Sequence, residues 1–395
     1  MRWLYPDPAD KREAAARAAI DKQVDAWWQA FAANCAEIQR VFKSQSKFDL
    51  VAFMRRALNT IDDRIMWEFG PGVKRKGNER LVLTPESDHE IEPLVRRILA
   101  RAPKIEGWEF YLYRLAEDVE QAIATVEART GGNLRGASVR CTLGEGNLVD
   151  VLFHMPDRKG DANDARGAAF IGAESLFGEQ RLTFWTGVID AVDSKQGLKG
   201  WVPIEKSQAT YEALLQSIRD RLPAKPVQQW DPESDGMMWS SFKCEPVEAE
   251  DYAGVDDLVG GVTGIAAALG PMTGSRLFAS ERFSKHGEVL GYLKMDFSNI
   301  GWDDRVRVRG ELEDELTPLL MKTAGIWGGG TGLRYAYVFM AFTDVLKSAD
   351  ILRGVLRKKK ASKRSWIQFF DATLADEWIG IYPDSPPPPM KPREE

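Results

Sequence analysis

The chain has 395 residues, of which 44% are hydrophobic and 28% are charged, the balance of an ordinary globular protein. This length exceeds that of one typical hydrophobic core and predicts two or three domains. The formal net charge of −6 is small for the size and argues against a general nucleic-acid coat.

The three cysteines, Cys35, Cys141 and Cys244, lie far apart and form no CxxC pair. This pattern is typical of buried thiols in a reducing compartment rather than of a disulfide framework. The first residues lack the apolar segment of a secretion signal, and nowhere do eighteen apolar residues run together. We therefore expect a cytoplasmic protein without a membrane segment.

A helical segment is predicted over residues 1–63. Apolar residues recur every three or four positions from Trp28 to Phe42, and again from Phe48 to Ile61, which places each set on one face of a helix. Trp27 and Trp28 are interpreted as core residues.

Residues 64–222 predict an α+β domain. Strand-like and helix-like segments follow one another in the order ββαβα, and the order then repeats, which indicates two similar halves. The first two strands flank the loop "GPGVKRKGNE", and its segment 73–80 is basic. We interpret that segment as a solvated loop.

The proline-containing stretch 223–236 is the predicted linker to a C-terminal domain at 237–383. The order β-α-β-α-β within that domain predicts a ferredoxin-like module with an antiparallel sheet. Its first part, 255–278, is rich in Gly and Ala and is expected to form a loose helix. The tail 384–395 contains "DSPPPP" and is predicted to be disordered. The fold class is thus α+β.

The glycine-rich segment "GIWGGGTGLRY" at 325–335 raises the question of a phosphate-binding loop. A Walker loop requires Lys and Ser or Thr after its last glycine, whereas Leu333 and Arg334 follow Gly332. Gly328 and Gly330 fit the first two positions of a dinucleotide fingerprint, but Leu333 occupies the third. We interpret Gly325 as a helix C-cap followed by a glycine turn or bulge that enters a strand. A ligand contact at this turn remains an alternative.

The hairpin 137–155 offers a second candidate site. A four-residue turn "GEGN" would pair Cys141 with Asp150 and place His154 on the same face, two pairs away. A thiol, a carboxylate and an imidazole are the components of a nucleophilic site, but about 10 Å between Cys141 and His154 is too far for direct proton transfer. A buried cysteine and a hydrogen-bonded histidine are the preferred interpretation.

No metal or cofactor is expected, because the histidines His89, His154 and His286 lie in different segments. The basic segment "RKKKASKR" at 357–364 ends a predicted helix, where lysines complement the helix dipole. We prefer that interpretation to a phosphate-binding patch.

Residues 64–114 resemble an uncharacterised bacterial α+β domain family of unknown function. The pattern consists of "LVLT" before a helix and "APKIEGWEF" before an aromatic strand, and it continues weakly to "FWTGVI". The residues that carry the resemblance are Leu81, Val82, Leu83, Leu94, Pro103, Gly107, Trp108 and Phe110. The split α+β modules are also loosely similar in topology to relatives of the regulator of ribonuclease E activity B. Neither resemblance implies catalytic residues.

These observations favour a non-catalytic protein-binding or regulatory protein, with an immunity- or antitoxin-like role as one form. The expected partner is another protein. The alternative is an enzyme with its site in a cleft between the modules, using Asp150, His154 or carboxylates near Asp303. That alternative predicts a pocket in which at least two titratable groups lie within hydrogen-bonding reach. A nucleic-acid role ranks third.

Overall fold

A computed structural model describes residues 1–157, 160–231, 238–274 and 276–391. The fold is α+β, as predicted. Among the described residues, no helix is both long and apolar enough to cross a membrane. The chain divides into two compact units: the first comprises Met1–Ala116 with Gly178–Gln180, and the second comprises Glu117–Phe177 with Arg181–Glu395. This division lies inside the predicted 64–222 domain.

The first unit packs helices against one face of a three-stranded sheet. Its elements are α1 (Lys11–Phe42), α2 (Leu50–Leu58), β1 (Met66–Pro71), β2 (Glu79–Thr84), α3 (Glu92–Ala100) and β3 (Trp108–Leu112). The strand order is β1-β2-β3, with β1 antiparallel and β3 parallel to β2.

Helix α1 begins where the Asp10 side chain accepts the backbone N–H groups of Arg12 and Glu13, which caps the first turn. Its apolar stripe includes Trp27 and Trp28, which are buried in the core as predicted. The opposite face of the sheet carries polar side chains, because successive residues of a strand point to opposite faces.

The second unit begins with a four-stranded sheet. Its elements are α4 (Val119–Thr130), β4 (Ser138–Leu143), β5 (Val149–His154), α5 (Ala162–Phe177), the part of α6 (Glu179–Trp185) from Arg181 onward, β6 (Thr186–Ala191), β7 (Val202–Pro203) and α7 (Ser207–Arg221). The strand order is β6-β5-β4-β7, and β5 is antiparallel to β4 but parallel to β6. Both sheets thus contain an antiparallel pair followed by a helix and a parallel strand, the succession that suggested two similar halves.

The rest of the second unit is built on a seven-stranded antiparallel sheet. Its elements are β8 (Ser240–Lys243), β9 (Leu258–Thr263), α8 (Leu269–Thr273), β10 (Val289–Asp296), α9 (Trp302–Leu320), β11 (Ala324–Gly332), β12 (Tyr335–Phe342), α10 (Val345–Lys358), β13 (Ser365–Phe369) and β14 (Trp378–Gly380). The strand order is β14-β13-β10-β12-β11-β9-β8. The segment from β10 to β13 has the element order β-α-β-β-α-β, which includes a strand, β11, that the predicted order β-α-β-α-β lacks.

Two predictions in this sheet are wrong. The segment 255–278 contains strand β9 and the short helix α8 instead of one loose helix. Gly325 is not a helix C-cap, since α9 ends at Leu320 and Gly325 lies within β11. A Cβ atom on Gly325 would lie 2.3 Å from the backbone nitrogen of Gln228, so glycine is required by close packing. The expected bulge is present, between Ile326 and Gly328.

The predicted linker and tail make specific contacts where they are described. Val227 is buried, and its backbone N–H donates to Glu288. Trp366 donates its indole N–H to the carbonyl of Pro386 at 2.6 Å, and Lys391 pairs with Asp256. The remaining parts of these two predictions, 232–236 and 392–395, lie outside the described residues.

Candidate functional site

The hairpin does not assemble the predicted thiol, carboxylate and imidazole. Cys141 pairs with Val151, whereas Asp150 pairs with Thr142, so the predicted pairing of Cys141 with Asp150 is wrong. The loop comprises five residues instead of four, because Leu148 is buried in it and the first pair is Leu143 with Val149. A shift by one residue moves a side chain to the other face of the sheet.

Each of the three groups has a local structural environment. Burial among apolar residues raises the pKa of Cys141 to about 12, so its sulfur stays a thiol. Asp150 accepts the backbone N–H of Val188 at 2.8 Å. The His154 ring lies beside Trp201, with ring centroids 6.2 Å apart. Asp150 and His154 share a face but are four residues apart, about 13 Å along the strand.

The glycines of β11 are packed against neighbouring atoms and form no phosphate cradle. Their strand pairs with β9 on one side and β12 on the other, which uses its backbone groups. A Cβ atom on Gly328 would lie 2.4 Å from the carbonyl oxygen of Val262, and one on Gly330 would lie 2.4 Å from the side chain of Leu258. Glycine is therefore required here for close strand packing.

Arg334, which directly precedes β12, belongs to a partly buried polar network. Its guanidinium pairs with Asp296 at 3.0 Å, and Asp296 also lies within 3.5 Å of Arg364. Burial alone raises the pKa of Asp296, but hydrogen bonds from Ser298 and Arg334 lower it below the ordinary value.

Lys294 and Asp257 belong to the same network. Lys294 is fully buried and donates to the carbonyls of Tyr252 and Gly254 at 2.5 and 2.9 Å. Burial lowers its pKa to about 8, against the opposing effect of nearby aspartates. Asp257 accepts from the backbone N–H groups of Arg334 and Tyr335. These bonds attach the segment before β9 to the sheet, so the network is structural.

The basic segment 357–364 is also largely bonded within the chain. Arg357 donates to the carbonyl of Ile381 at 2.6 Å, and Lys359 pairs with Glu315 at 2.6 Å. Lys363 pairs with Asp384, and Arg364 pairs with Asp251. Four of its cations thus have partners, as expected of a structural helix end.

The basic loop between β1 and β2 is different, because it is ordered by one buried carboxylate. Glu109 on β3 accepts the backbone N–H groups of Val73, Lys74 and Arg75 at 2.9 to 3.0 Å. It also accepts from the Asn78 side-chain amide at 3.1 Å and from the hydroxyl of Tyr111 at 2.6 Å. We call residues 73–77 the basic loop.

The charge of Glu109 is stabilised by these donors. Burial alone raises its pKa, but the hydrogen bonds from the loop backbone and from Tyr111 lower it to about 2. A carboxylate that accepts several backbone N–H groups acts as the internal anion of a nest. At neutral pH the charged Glu109 carboxylate therefore holds the basic loop in one conformation.

The cations of the basic loop are open to solvent. Lys74, Arg75 and Lys76 are exposed, and none of them lies within ion-pair distance of a carboxylate in the described part of the chain. Lys74 lies over the Tyr111 ring, 5.2 Å from its centroid. Val73 is 55% exposed beside them. The arrangement can attract an acidic group without first having to order the loop.

Sequence reasoning placed the loop correctly but missed Glu109. The available signal was one acidic residue within the apolar and aromatic strand "WEFYLY". Parallel pairing sets Glu109 beside Arg80 on the polar face of the sheet. Finding its bonds to the loop required this register, which composition does not reveal.

A cavity of about 340 Å³ lies in the second unit. Its described lining residues are Arg221, Pro223, Ala224, Lys225, Trp230, Met238 and Gly264. Among these described residues, the titratable groups are the guanidinium of Arg221 and the ammonium of Lys225.

Within the described residues, no group of three or more His, Cys, Asp and Glu side chains is arranged to hold a metal ion. Comparison of the chain with protein families, curated proteins and solved structures found no match.

Proposed function

We propose that this chain is a non-catalytic protein-binding protein that contacts an acidic segment of its partner through the basic loop. The observation that carries the proposal is the Glu109 carboxylate, which holds the backbone of Val73, Lys74 and Arg75. An unconstrained basic loop loses side-chain and backbone entropy on binding, whereas a preordered loop avoids much of that cost.

The charge distribution supports an acidic protein partner. The chain carries a formal net charge of −6, so electrostatic attraction of an acidic partner has to come from a local cluster of cations such as the basic loop. A nucleic-acid partner is less well supported. Tyr111, an aromatic side chain beside the loop, donates its hydroxyl to Glu109 and contacts Lys74, so its ring is not an open stacking platform.

Three further features belong to this proposal. We assign the β10–β13 segment to the ferredoxin-like arrangement, on the basis of its element and strand order. We place the protein in the cytoplasm, which agrees with three free cysteines. An immunity- or antitoxin-like role is compatible with this proposal, with the basic loop binding an acidic surface of the partner.

A selection from a displayed library of random peptides tests the proposal with a defined probe. The immobilised full chain is compared with an Arg75→Glu, Lys76→Glu variant. A matched control, Lys358→Glu with Lys360→Glu, makes the same charge change at two other exposed lysines. We expect wild type and control to enrich peptides rich in Asp and Glu, and the loop variant to lose that enrichment. Equal enrichment by the loop variant contradicts the proposal.

Glu109→Gln separates the order of the loop from its charge. This variant keeps all three cations but replaces a charged acceptor by an amide, so we expect the loop to lose its fixed conformation. Binding of an enriched acidic peptide should weaken by about tenfold, which corresponds to about 1.4 kcal/mol. Unchanged affinity, measured by fluorescence anisotropy on folded protein, would show that order contributes nothing.

A further inference from the structure

Helix α9 places two buried arginines one turn apart against the sheet. Arg305 and Arg309 are 7% and 6% exposed. Arg305 donates to the carbonyls of Ile300, Gly332 and Leu333. Arg305 also lies over the Trp302 ring, 5.5 Å from its centroid, and no described carboxylate lies within ion-pair distance of it.

Arg309 has one acidic neighbour, Glu313, on the next turn of α9. The Nε atom of Arg309 lies 3.5 Å from Oε1 of Glu313, without a hydrogen bond between them. Both Nε and Nη1 of Arg309 are buried, and neither finds a hydrogen-bond partner among the described residues. Buried guanidinium nitrogens normally have acceptors, so this group points to a ligand.

The side chains of Arg309 and Glu313 pack against the glycine-rich strand β11. A Cβ atom on Gly329 would lie 2.3 Å from Oε1 of Glu313 and 2.6 Å from Nη1 of Arg309. Thr331 shares this face, since residues two apart on a strand point the same way. Its hydroxyl is buried, with no hydrogen-bond partner in the described structure. Two elements thus direct unpaired polar groups to one region.

We propose that Arg309, Thr331 and Glu313 form a binding site for a small oxyanion, a sulfate-like or carboxylate group, and that Glu313 takes up a proton when the anion binds. Arg309 and the Thr331 hydroxyl donate to the anion, and protonated Glu313 supplies a further donor. The site is separate from the basic loop and does not rest on the proposed function.

The surrounding charges explain the linked proton. Burial raises the pKa of Glu313 to about 7, with Asp314 adding to the rise and Arg309 opposing it. Arg305 lies one turn beyond Arg309, and Lys243 on β8 shares this face of the sheet through its pairing with Gly260. An incoming anion raises the pKa of Glu313 further, because two negative charges repel in a buried site.

Sulfate and acetate are suitable probes, because neither takes up protons near neutral pH. Titration calorimetry of the full chain at about pH 6 and about pH 8 brackets the Glu313 pKa of about 7. We expect stronger binding at the lower pH. Buffers of different ionisation enthalpy should reveal proton uptake at the higher pH. Tighter binding of sulfate indicates a site for a tetrahedral anion, and tighter binding of acetate indicates a site for a carboxylate. If the folded wild type binds neither probe, the proposal is overturned.

Variants test two of the three groups, Glu313 and Arg309. Glu313→Gln mimics the protonated acid and should retain binding but lose its pH dependence. Arg309→Lys keeps the charge, removes the guanidinium and should weaken binding at least tenfold. The matched control is Arg307→Lys, on the solvent side of the same helix, where Arg307 pairs with Asp304 and Glu311. Equal binding by the Arg309 and Arg307 variants, or pH dependence retained in Glu313→Gln, overturns the assignment.

Discussion

Glu109 shows how one buried carboxylate can organise a surface loop. Its carboxylate oxygens accept hydrogen bonds from three backbone N–H groups of the loop. These hydrogen bonds in turn stabilise the charged form of the carboxylate. The stability of the first unit should therefore depend on the protonation of this residue.

Acid unfolding tests this dependence. The pKa of Glu109 lies at about 2 in the folded chain, below the ordinary value of 4.5. A carboxyl group whose pKa is lower in the folded chain than in the unfolded chain stabilises the native state at pH values above the unfolded pKa. This stabilisation is lost as the pH falls through the folded pKa. We expect wild type to lose stability relative to Glu109→Gln between about pH 4.5 and pH 2, measured by urea unfolding. Parallel curves for the two proteins over this range would refute the role of Glu109.

The glycines of the chain separate into those that packing requires and those that it does not. Gly329→Ala should destabilise the protein by about 1 to 3 kcal/mol, because its Cβ would overlap the Arg309 and Glu313 side chains. Gly354→Ala provides the contrast. That residue is exposed on α10 with open space around it, and alanine should stabilise the helix by about 0.5 to 1 kcal/mol. Thermal unfolding of both variants checks the two signs.

At the scale of elements, periodic patterns predicted helices and regular strands well. Helix α1 lies within the helical segment predicted over residues 1–63, and α10 ends at the basic segment 357–364, as predicted. Strand β9 and the glycine part of β11 were misassigned, because glycine carries no side-chain pattern and its place depends on neighbours distant in sequence. The hairpin register failed for a related reason, since the buried Leu148 extends the loop by one residue.

The attachment of the segment before β9 to the sheet depends on Lys294. Its pKa of about 8 lies below the ordinary value of 10.5, so the unfolded chain binds more protons between these values. Stability therefore rises with pH across that window through this group, by up to about 1.4 kcal/mol per pH unit. Lys294→Met should lack this rise. Urea unfolding of both proteins between about pH 8 and pH 10 measures the difference, and identical slopes would refute it.

At the scale of the whole molecule, a small negative net charge coexists with an exposed cluster of cations. Because exposed charges are screened within about 8 Å at physiological ionic strength, attraction to the loop should be salt-dependent. We expect the affinity for an acidic peptide to fall steadily with added salt in wild type and in the Lys358, Lys360 control. Salt-independent binding, measured by fluorescence anisotropy, would assign the contact to apolar groups instead.

The sequence predicted the α+β class and most of the regular elements, but not β9, β11 or the groups that form the candidate site. Alternation and helical spacing depend on local residues. The bonds of Glu109 to the loop and the position of Arg309 against β11 depend instead on which strands and helices become neighbours. Local patterns can be read directly from the amino-acid sequence, whereas contacts between distant elements can be read only from the folded structure.

The return of the chain to the first unit at Gly178–Gln180 has a consequence for its synthesis. Glu179 accepts the backbone N–H of Arg114 at 2.9 Å and bonds the hydroxyl of Thr84. A ribosome must therefore release α4, β4, β5 and α5 before the N-terminal unit obtains this carboxylate. Until then the nascent first unit exists without one of its native partners, so its maturation is tied to the translation of the segment inserted within it.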